Sequence, residues 1–257
     1  MQKAVEIERG NLVLRGVVHI PEGISGKVPL VCMFHGFKGN KEEKHFMFVK
    51  MSRLFEKKGI ASLRFDFSGS GESDGEFVDM TILTELHESK TILDYAKGLD
   101  FVDIENIGVL GLSMGGAVAS ILAGDCNEDV KALCLWAPAG NMQEIVDGFK
   151  TNQNIGVLTK RGFFDLDGFS IGKEFVKALE KIDIFKRASN YEKNVLLIHG
   201  NCDEMVSFNT SERYLDIYGE KSFLHPVEGS DHTFNKKEWE DEVLECTVEF
   251  FKNEFKG

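Results

Sequence analysis

The strongest chemical signal in the sequence is a serine between glycines, in the segment Gly111-Leu112-Ser113-Met114-Gly115. An apolar stretch precedes this segment and a run of small residues follows it, which predicts a strand, a sharp turn and a helix. A serine on such a turn projects its hydroxyl group from the edge of a sheet, and the glycines leave room where strand and helix cross. We interpret Ser113 as a candidate nucleophile; the alternative is a tight turn whose serine only caps the helix.

A second Gly-x-Ser-x-Gly match surrounds Ser73. It lies in the glycine-rich segment 68–76, where no apolar strand runs directly into the motif and no helical pattern leaves it. This context predicts that Ser73 is a loop serine and not a nucleophile.

A serine hydroxyl group needs a base to accept its proton, and the base needs a carboxylate to orient it. Of the seven histidines, His232 alone follows the last predicted strand, Phe223–Val227, in a loop at the carboxyl edge of the sheet. This placement makes His232 the candidate base. Packed, hydrogen-bonded positions are expected for His35, His199 and His225, and solvent-facing positions for His19, His45 and His87.

Asp203 is the candidate acid, because it follows the apolar strand Val195–Ile198 and lies between the serine and the histidine in the chain. Loops that follow parallel strands meet at one edge of a sheet, so the three side chains can come together there. Two carboxylates remain alternatives: Glu204, the next residue, and Asp231, whose adjacency to His232 makes a planar carboxylate–imidazole bond awkward.

Acyl transfer also requires hydrogen-bond donors for the negative charge that develops on the substrate oxygen. The amide of Met114, directly after the serine, is one candidate for this oxyanion hole. The second is the amide of Phe37, in the loop His35–Gly39 after the first predicted parallel strand. No His-Glu-x-x-His or other metal-ligand spacing occurs in the sequence, so we expect no metal.

The elements that must position these residues alternate regularly along the chain. Two segments of alternating hydrophobicity, Ala4–Glu8 and Leu12–Ile20, predict an antiparallel hairpin. Continuous apolar runs, typical of buried parallel strands, occur at Pro29–Phe34, Ile60–Phe65, Ile107–Leu110, Val130–Trp136 and Val195–Ile198. Helical patterns lie at His45–Lys58, Met80–Lys97, Phe208–Tyr218 and Trp239–Phe255. This order predicts a wound α/β fold.

One long segment interrupts the alternation, so we predict a single domain, residues 1–257, with an insertion at about residues 140–190. Within the insertion, Phe163–Ile171 predicts a small hairpin that turns at Asp167-Gly168, and Lys173–Lys181 predicts a helix. Its phenylalanines are expected to form a small core of their own or a lid over a pocket: Phe149, Phe163, Phe164, Phe169 and Phe175.

The composition limits the partners. Asp and Glu number 42 against 30 Lys and Arg, a formal net charge of −12 that disfavours binding to nucleic acids and anionic membranes. The five cysteines form no Cys-x-x-Cys pair, which predicts free thiols in a reducing compartment. The first residues lack the apolar core of a signal peptide, and no apolar run approaches the ~20 residues of a membrane span. We therefore expect a cytoplasmic protein that binds neither nucleic acid nor membrane.

Six segments together resemble the α/β-hydrolase superfamily. They are His35–Phe37, Arg64–Gly75, Gly111–Gly116, Trp136–Ala139, His199–Asp203 and Gly229–His232. Within the superfamily the chain is most similar to the bacterial cinnamoyl (feruloyl) esterases, along nearly its whole length. Many of those esterases have His and Gln beside the nucleophile where this chain has Leu112 and Met114, and the insertion matches only loosely.

The resemblance implies an α/β-hydrolase fold with a mostly parallel eight-stranded sheet, an N-terminal antiparallel hairpin and a lid-like insertion after strand 6. It also implies a serine carboxylesterase that hydrolyses hydroxycinnamate (feruloyl or cinnamoyl) or related aryl and short-acyl esters without a cofactor. The expected partners are a small-molecule ester substrate and, in a homodimer, a second copy of the chain. Other acyl hydrolases of this fold (thioesterases, lipase-like enzymes and small-peptide hydrolases) remain alternatives, as does a catalytically idle binding protein.

Overall fold

The structure is a computed structural model, and it describes residues 1–23, 25–149, 157–158 and 160–256. The β-strands are β1 (Gln2–Arg9), β2 (Leu12–His19), β3 (Val28–Phe34), β4 (Ala61–Phe65), β5 (Val102–Leu112), β6 (Ala132–Trp136), β7 (Phe163–Leu166), β8 (Phe169–Gly172), β9 (Val195–Gly200) and β10 (Ser222–Val227). The α-helices are α1 (Met47–Lys57), α2 (Ile82–Lys97), α3 (Met114–Asp125), α4 (Met142–Phe149), α5 (Lys173–Leu179), α6 (Ile184–Ala188), α7 (Asn209–Tyr218) and α8 (Lys237–Glu254). Short 3₁₀ helices lie at Lys44–Phe46, Phe77–Asp79 and Gly219–Lys221.

Eight of these strands form one sheet in the order β1-β2-β4-β3-β5-β6-β9-β10. β2 pairs antiparallel with β1 and with β4, whereas the strands from β4 to β10 in this order pair parallel to one another. The predicted α/β-hydrolase fold, with an N-terminal antiparallel hairpin on a mostly parallel sheet, is confirmed. Because parallel strands end at the same edge, the loops after β3, β5, β9 and β10 gather there.

The central parallel strand β3 is apolar along its length because both faces of the sheet are covered there. In β3, Leu30 and Cys32 belong to a core that includes residues of α2 and α3. Val31 and Met33 belong to the opposite core, which includes residues of α1 and α8. Successive side chains of a strand point to opposite faces, so a strand between two cores has a continuous apolar run and no alternation.

The predicted helix over His45–Lys58 starts later than its apolar spacing indicates. α1 begins at Met47, and the two residues before it, His45 and Phe46, have φ angles of 52° and 59° in the left-handed region. Phe46 is 61% exposed, so its side chain does not belong to the stripe that faces the core. The spacing of apolar residues includes Phe46 in the predicted helix because a sequence pattern does not show in which direction a side chain points.

His19 is buried in β2, and the prediction that it faces solvent is wrong. Its Nε2 atom lies 3.5 Å from Arg64 Nη2, and its Nδ1 atom lies 3.5 Å from Glu56 Oε2. Burial lowers the pKa of His19, and the charge of Arg64 adds to this effect. Polar side chains from β4 and α1 lie beside the buried imidazole and partly replace the water that it loses. The spacing of residues in the sequence does not reveal these neighbours.

The insertion lies between β6 and β9. Its described part forms α4, the hairpin β7–β8, α5 and α6. As predicted, the hairpin turns at Asp167 and Gly168, whose φ angles of 54° and 86° are those of a primed two-residue turn. The predicted helix after it is α5.

Among the described phenylalanines of the insertion, Phe164, Phe169 and Phe175 pack with the core of the main body. The ring of Phe169 lies 4.8 Å from that of Phe77, and the ring of Phe175 lies 5.4 Å from that of Phe37, measured between centroids. The side chain of Phe149, which the same prediction includes, lies outside the described residues. The insertion is therefore anchored next to the loop that follows β3.

Candidate active site

Ser113 lies between β5 and α3, at the turn that the sequence predicts. Its φ of 55° and ψ of −120° are a strained conformation for a residue with a side chain, of a kind that costs about 1–3 kcal/mol. A Cβ atom on Gly111 would lie 2.2 Å from the Gly115 carbonyl oxygen, and one on Gly115 would lie 2.2 Å from the Phe34 carbonyl oxygen. Both positions require glycine because the backbone segments around the serine touch each other.

The three side chains predicted for proton transfer form one hydrogen-bonded chain. Ser113 Oγ lies 2.9 Å from His232 Nε2, and His232 Nδ1 lies 2.6 Å from Asp203 Oδ2. The residues come from the loops after β5, β10 and β9, and Ser113 and His232 are 119 positions apart in the chain. With its hydrogen on Nδ1, a neutral imidazole presents a free electron pair at Nε2 to the serine proton.

The Asp203 side chain has no solvent exposure and is surrounded by donors. Its Oδ1 atom accepts hydrogen bonds from the amides of Met205 at 2.8 Å and Val206 at 2.9 Å. Burial alone would raise the pKa of Asp203, but hydrogen bonds from His199 and His232 lower it well below its ordinary value. The carboxylate is therefore ionised throughout the neutral pH range.

His199 contacts the acid, a role that the sequence does not predict. Its ring is buried, as expected, but Nε2 lies 2.9 Å from Asp203 Oδ2 and Nδ1 lies 2.7 Å from Ser211 Oγ. The available signal is the spacing, because Asp203 follows four positions after His199, which lies near the end of β9. His225 has no such relation to the site: its Nε2 atom bonds to Glu242 at 2.7 Å.

The loop after β3 brings a second amide close to Ser113. The Gly39 amide donates to the Gly36 carbonyl oxygen at 2.9 Å and closes a tight turn. A Cβ atom on Gly36 would lie 3.3 Å from Ser113 Cβ, so the loop passes directly beside the candidate nucleophile. In the part of the chain that the structure describes, the amides of Phe37 and Met114 have no hydrogen-bond partner. Both residues line the cavity that contains Ser113, where their amides can serve an oxyanion.

Glu43 is a second site residue that the sequence does not predict. Its Oε1 atom accepts the Gly36 amide at 2.5 Å, and its Oε2 atom accepts the Lys44 amide at 3.3 Å. Burial raises the pKa of Glu43, although His35 and the two amides oppose this shift. No local signal marks the residue, because the contact joins the segment before α1 to the loop after β3.

The alternative residues lie outside the hydrogen-bonded chain. Asp231 accepts hydrogen bonds from the Asn235 amide at 2.9 Å and from Asn235 Nδ2 at 2.7 Å. Glu204 lines the cavity, but the Nδ1 atom of the histidine faces Asp203. Ser73 is buried in a loop, where its hydroxyl group donates to a backbone carbonyl at 2.7 Å.

Ser113 opens into a cavity of about 1460 Å³. The insertion supplies an apolar wall that includes Met142, Ile145, Phe164, Phe169, Ile171 and Phe175. The loops of the main body supply a more polar wall that includes Lys38, Asn40, Lys44, Glu204 and Asn235. The two walls are joined by an ion pair between Lys38 Nζ and Asp167 Oδ2, at 2.7 Å.

Among the described residues, no group of three or more His, Cys, Asp and Glu side chains is arranged to hold a metal ion. The five cysteines are free, and the exposed one, Cys202, lines the cavity. No helix in the described ranges has both the length and the apolar character needed to cross a bilayer.

This fold and this site define a hydrolase of the α/β-hydrolase class, similar to esterases and lipases. A profile of the family described as serine aminopeptidase, S33, matches residues 27–161, which is more than half of the chain. The chain belongs to this family.

Individual relatives agree with this class. The structure of Est1E from Butyrivibrio proteoclasticus with bound ferulic acid matches with a TM-score of 0.89 and 29% identity, over 99% of this chain and 100% of that chain. Lipase 1 of Psychrobacter immobilis is 28% identical over 208 residues, 77% of this chain and 60% of the lipase. An uncharacterized 31.7 kDa Escherichia coli protein from the traX-finO intergenic region is 31% identical over 97 residues, 38% of this chain. The match spans 32% of the length of that E. coli protein.

Proposed function

We propose that this protein is a serine carboxylesterase that forms an acyl-enzyme on Ser113, with His232 as the base and Asp203 as the acid. The observation that carries the proposal is the continuous hydrogen-bonded chain from Ser113 to Asp203 at the wall of a large cavity. A base within 2.9 Å of the hydroxyl oxygen is close enough to take the proton while the new bond forms.

The first half of the reaction transfers the acyl group to the enzyme. Ser113 Oγ attacks the ester carbonyl carbon while His232 Nε2 takes the proton of the Ser113 hydroxyl group. The carbonyl oxygen becomes negatively charged. The amides of Phe37 and Met114 donate hydrogen bonds to this oxygen, and a donor of this kind contributes about 2.7–4 kcal/mol. The protonated His232 then gives its proton to the departing alcohol oxygen as the C–O bond breaks.

The second half releases the acid. A water molecule attacks the acyl carbon while His232 takes one of its protons, and that proton returns to Ser113 Oγ as the acid product leaves. In both halves Asp203 holds the Nδ1 hydrogen of His232 and stabilises the imidazolium. Apart from the substrate and this water molecule, the steps use only side chains and amides of this chain.

The lining of the cavity supports an aryl or short-acyl ester as substrate, and a hydroxycinnamate ester in particular. Aromatic rings from the main body and from the insertion, Phe37, Phe169 and Phe175, line the space beside Ser113, and such rings pack well against a flat aryl group. The apolar wall suits the acyl group, and the polar wall around Asn40 suits the alcohol. The similar protein Est1E binds ferulic acid, a hydroxycinnamic acid.

A hydrolysis panel tests the substrate class. The panel consists of methyl hydroxycinnamates, nitrophenyl esters of increasing acyl length, acyl thioesters and amino-acid anilides. We expect the highest kcat/KM for the methyl hydroxycinnamates, because only they fill an apolar, aromatic acyl site with an aryl group. A clear preference for thioesters or anilides would make the chain a thioesterase or a small-peptide hydrolase that uses the same three residues.

A labelling experiment tests the nucleophile, and the second Gly-x-Ser-x-Gly serine provides a matched control. Ser113→Ala is expected to lower kcat by about 10⁴-fold or more and to abolish labelling by a fluorophosphonate. Ser73→Ala removes a serine from the same motif and should keep both activity and label. Peptide mapping that places the label on Ser73, or no label on the folded wild-type protein, would contradict the proposal.

The pH profile tests the base. Because the reaction needs a neutral imidazole, kcat/KM should fall towards acidic pH. His232→Ala should remove nearly all turnover at every pH. A chelator should have no effect, and inhibition that added zinc reverses would contradict the mechanism.

A further inference from the structure

We propose that His199 is a positioning residue of the active site, which fixes the Asp203 carboxylate and weakens its pull on the protonated base. The inference rests on the proposed function, because it assigns a role to a side chain that acts through Asp203. It concerns a buried histidine that is not among the described residues lining the cavity.

The partners of His199 determine where its hydrogen lies. Nε2 has two acceptors within reach, Asp203 Oδ2 at 2.9 Å and the Val206 carbonyl oxygen at 3.1 Å, so this nitrogen must carry a hydrogen. Nδ1 lies 2.7 Å from Ser211 Oγ, and it accepts the hydroxyl hydrogen. The ring packs 5.5 Å from that of Phe208, centroid to centroid, and has no solvent exposure. Each polar atom of the ring therefore has a partner, and the orientation of the ring is fixed.

The oxygen that His199 contacts is the one that orients the base. Asp203 Oδ2 accepts from His199 and, at 2.6 Å, from His232, while Oδ1 accepts from the amides of Met205 and Val206. Four donors thus hold one carboxylate, two on each oxygen. Rotation of the carboxylate would break several of these bonds at once, so Asp203 presents Oδ2 to the base in a single geometry.

The contact also has an electrostatic consequence. A hydrogen bond from His199 draws charge from Oδ2, so the oxygen attracts the protonated His232 less than a carboxylate without this donor would. Other charged groups near the base and acid are Glu43 beside the loop after β3, Asp231 in the loop of His232, and Glu204 next to Asp203. A change confined to His199 leaves all of these in place.

The central test compares His199→Phe combined with Ser211→Ala against Ser211→Ala alone. Phe keeps a ring of similar shape without the donor, and Ala at 211 removes the hydroxyl group that would otherwise be left unpaired in the interior. We expect the acid limb of kcat/KM to move to higher pH by about 0.5 to 1 unit. The maximal kcat should fall about ten- to a hundredfold, by analogy with the loss seen when a residue that orients a metal ligand is removed.

Two further variants test whether His199 acts through its hydrogen bond to Asp203 or only by occupying space in the core. His199→Gln can still donate an N–H to Asp203, so its acid limb should lie closer to that of the wild type than the Phe variant's does. His225→Phe is the matched control, because His225 also lies in a strand but bonds to Glu242, and its acid limb should not move. An identical acid limb in the wild type and in the folded His199→Phe/Ser211→Ala protein would overturn the inference.

A measurement on the unmodified chain keeps the test decisive if the double variant does not fold. Nitrogen-15 NMR of the imidazole rings in the full-length protein should show the His199 hydrogen on Nε2 and none on Nδ1. A hydrogen found on Nδ1 alone would overturn the inference, since Nε2 could then not donate to Asp203. Failure of the proposed function has a different signature, namely a folded wild-type protein that no fluorophosphonate labels at Ser113.

Discussion

Asp203→Asn replaces one carboxylate oxygen with an amide nitrogen and leaves the size of the side chain unchanged. If the nitrogen takes the place of Oδ1, it faces the amides of Met205 and Val206, which are both donors. If it takes the place of Oδ2, it faces Nε2 of His199 and Nδ1 of His232. A backbone N–H group cannot accept a hydrogen bond, whereas Nδ1 of a neutral His232 can. The second arrangement leaves one donor–donor conflict instead of two, so we expect it to prevail.

The expected magnitude follows from that arrangement. The hydrogen of His232 moves to Nε2, where it points at Ser113, and the ring can no longer take the serine proton. A wrong tautomer of this kind lowers kcat by about 10⁴-fold in serine protease triads, which is about 5 kcal/mol of activation free energy. The remaining conflict with His199 costs about 1–3 kcal/mol of unfolding free energy. The cost should be near the lower end, because His199 Nε2 also bonds to the Val206 carbonyl oxygen at 3.1 Å.

Steady-state kinetics on a methyl hydroxycinnamate, combined with urea denaturation of the same preparation, separates the two effects. Glu204→Gln is the matched control, since it neutralises the neighbouring carboxylate that has no bond to the histidine. We expect its kcat to stay within about threefold of the wild type. A folded Asp203→Asn protein with more than about a tenth of the wild-type kcat would refute the tautomer reasoning. A larger loss in Glu204→Gln would move the acid by one position.

Three other predictions concern groups around the site and in the core. Glu43→Ala should lower kcat about tenfold or more with little change in KM, because the Gly36 amide in the loop after β3 loses its hydrogen-bond acceptor. Glu43→Gln keeps an acceptor oxygen and should keep most of kcat. Equal losses of kcat for the two variants in steady-state assays would contradict this. Burial and a neighbouring carboxylate raise the pKa of Glu85 well above its ordinary value, so the stability it contributes below about pH 4.3 is lost as the pH rises towards that raised value. Glu85→Gln should therefore melt above the wild type at pH 8 and by a smaller margin at pH 5, and an equal margin would count against the reasoning. Phe175→Ala removes a ring stacked on Phe37, so the ratio of kcat/KM for aryl esters to kcat/KM for acetates should fall about two- to tenfold. The control is Phe223→Ala at an exposed position, which should leave this ratio unchanged.

Most of the sheet could be predicted because its strands are buried on both faces. Runs such as Pro29–Phe34 are too short for helices and too apolar for surface strands, so few structures other than a covered parallel sheet accommodate them. The start of α1 could not be predicted in the same way. His45 and Phe46 adopt left-handed angles that their residue types do not favour, so tertiary contacts outweigh local preference there.

The candidate site could be predicted where its chemistry depends on chain position. Ser113, Asp203 and His232 each follow a strand, and the parallel sheet brings strand ends together whatever lies between them. The partners that hold these residues depend instead on side-chain direction. The strand pattern places His199 in the core, but only the structure shows that Nε2 points to Asp203. The contact of Glu43 with Gly36 could not be predicted either, because no sequence pattern links the segment before α1 to the loop after β3.

The positions where local preference fails are concentrated at the proposed site. In the described residues, a positive φ occurs at eight non-glycine residues: Lys38, Glu43, His45, Phe46, Ser113, Ala137, Asp167 and Phe234. Lys38, Glu43, Ser113 and Asp167 line the cavity, and Phe234 follows two positions after His232. Residues in sparsely populated backbone regions cost about 1–3 kcal/mol each, so such conformations persist only where the surrounding structure imposes them. The sheet and its two cores supply that constraint. The strained loops that they hold bring the serine, the proposed oxyanion donors and the rim of the cavity close to one another. A sequence read by local propensity is therefore least informative at the residues that would carry out the chemistry.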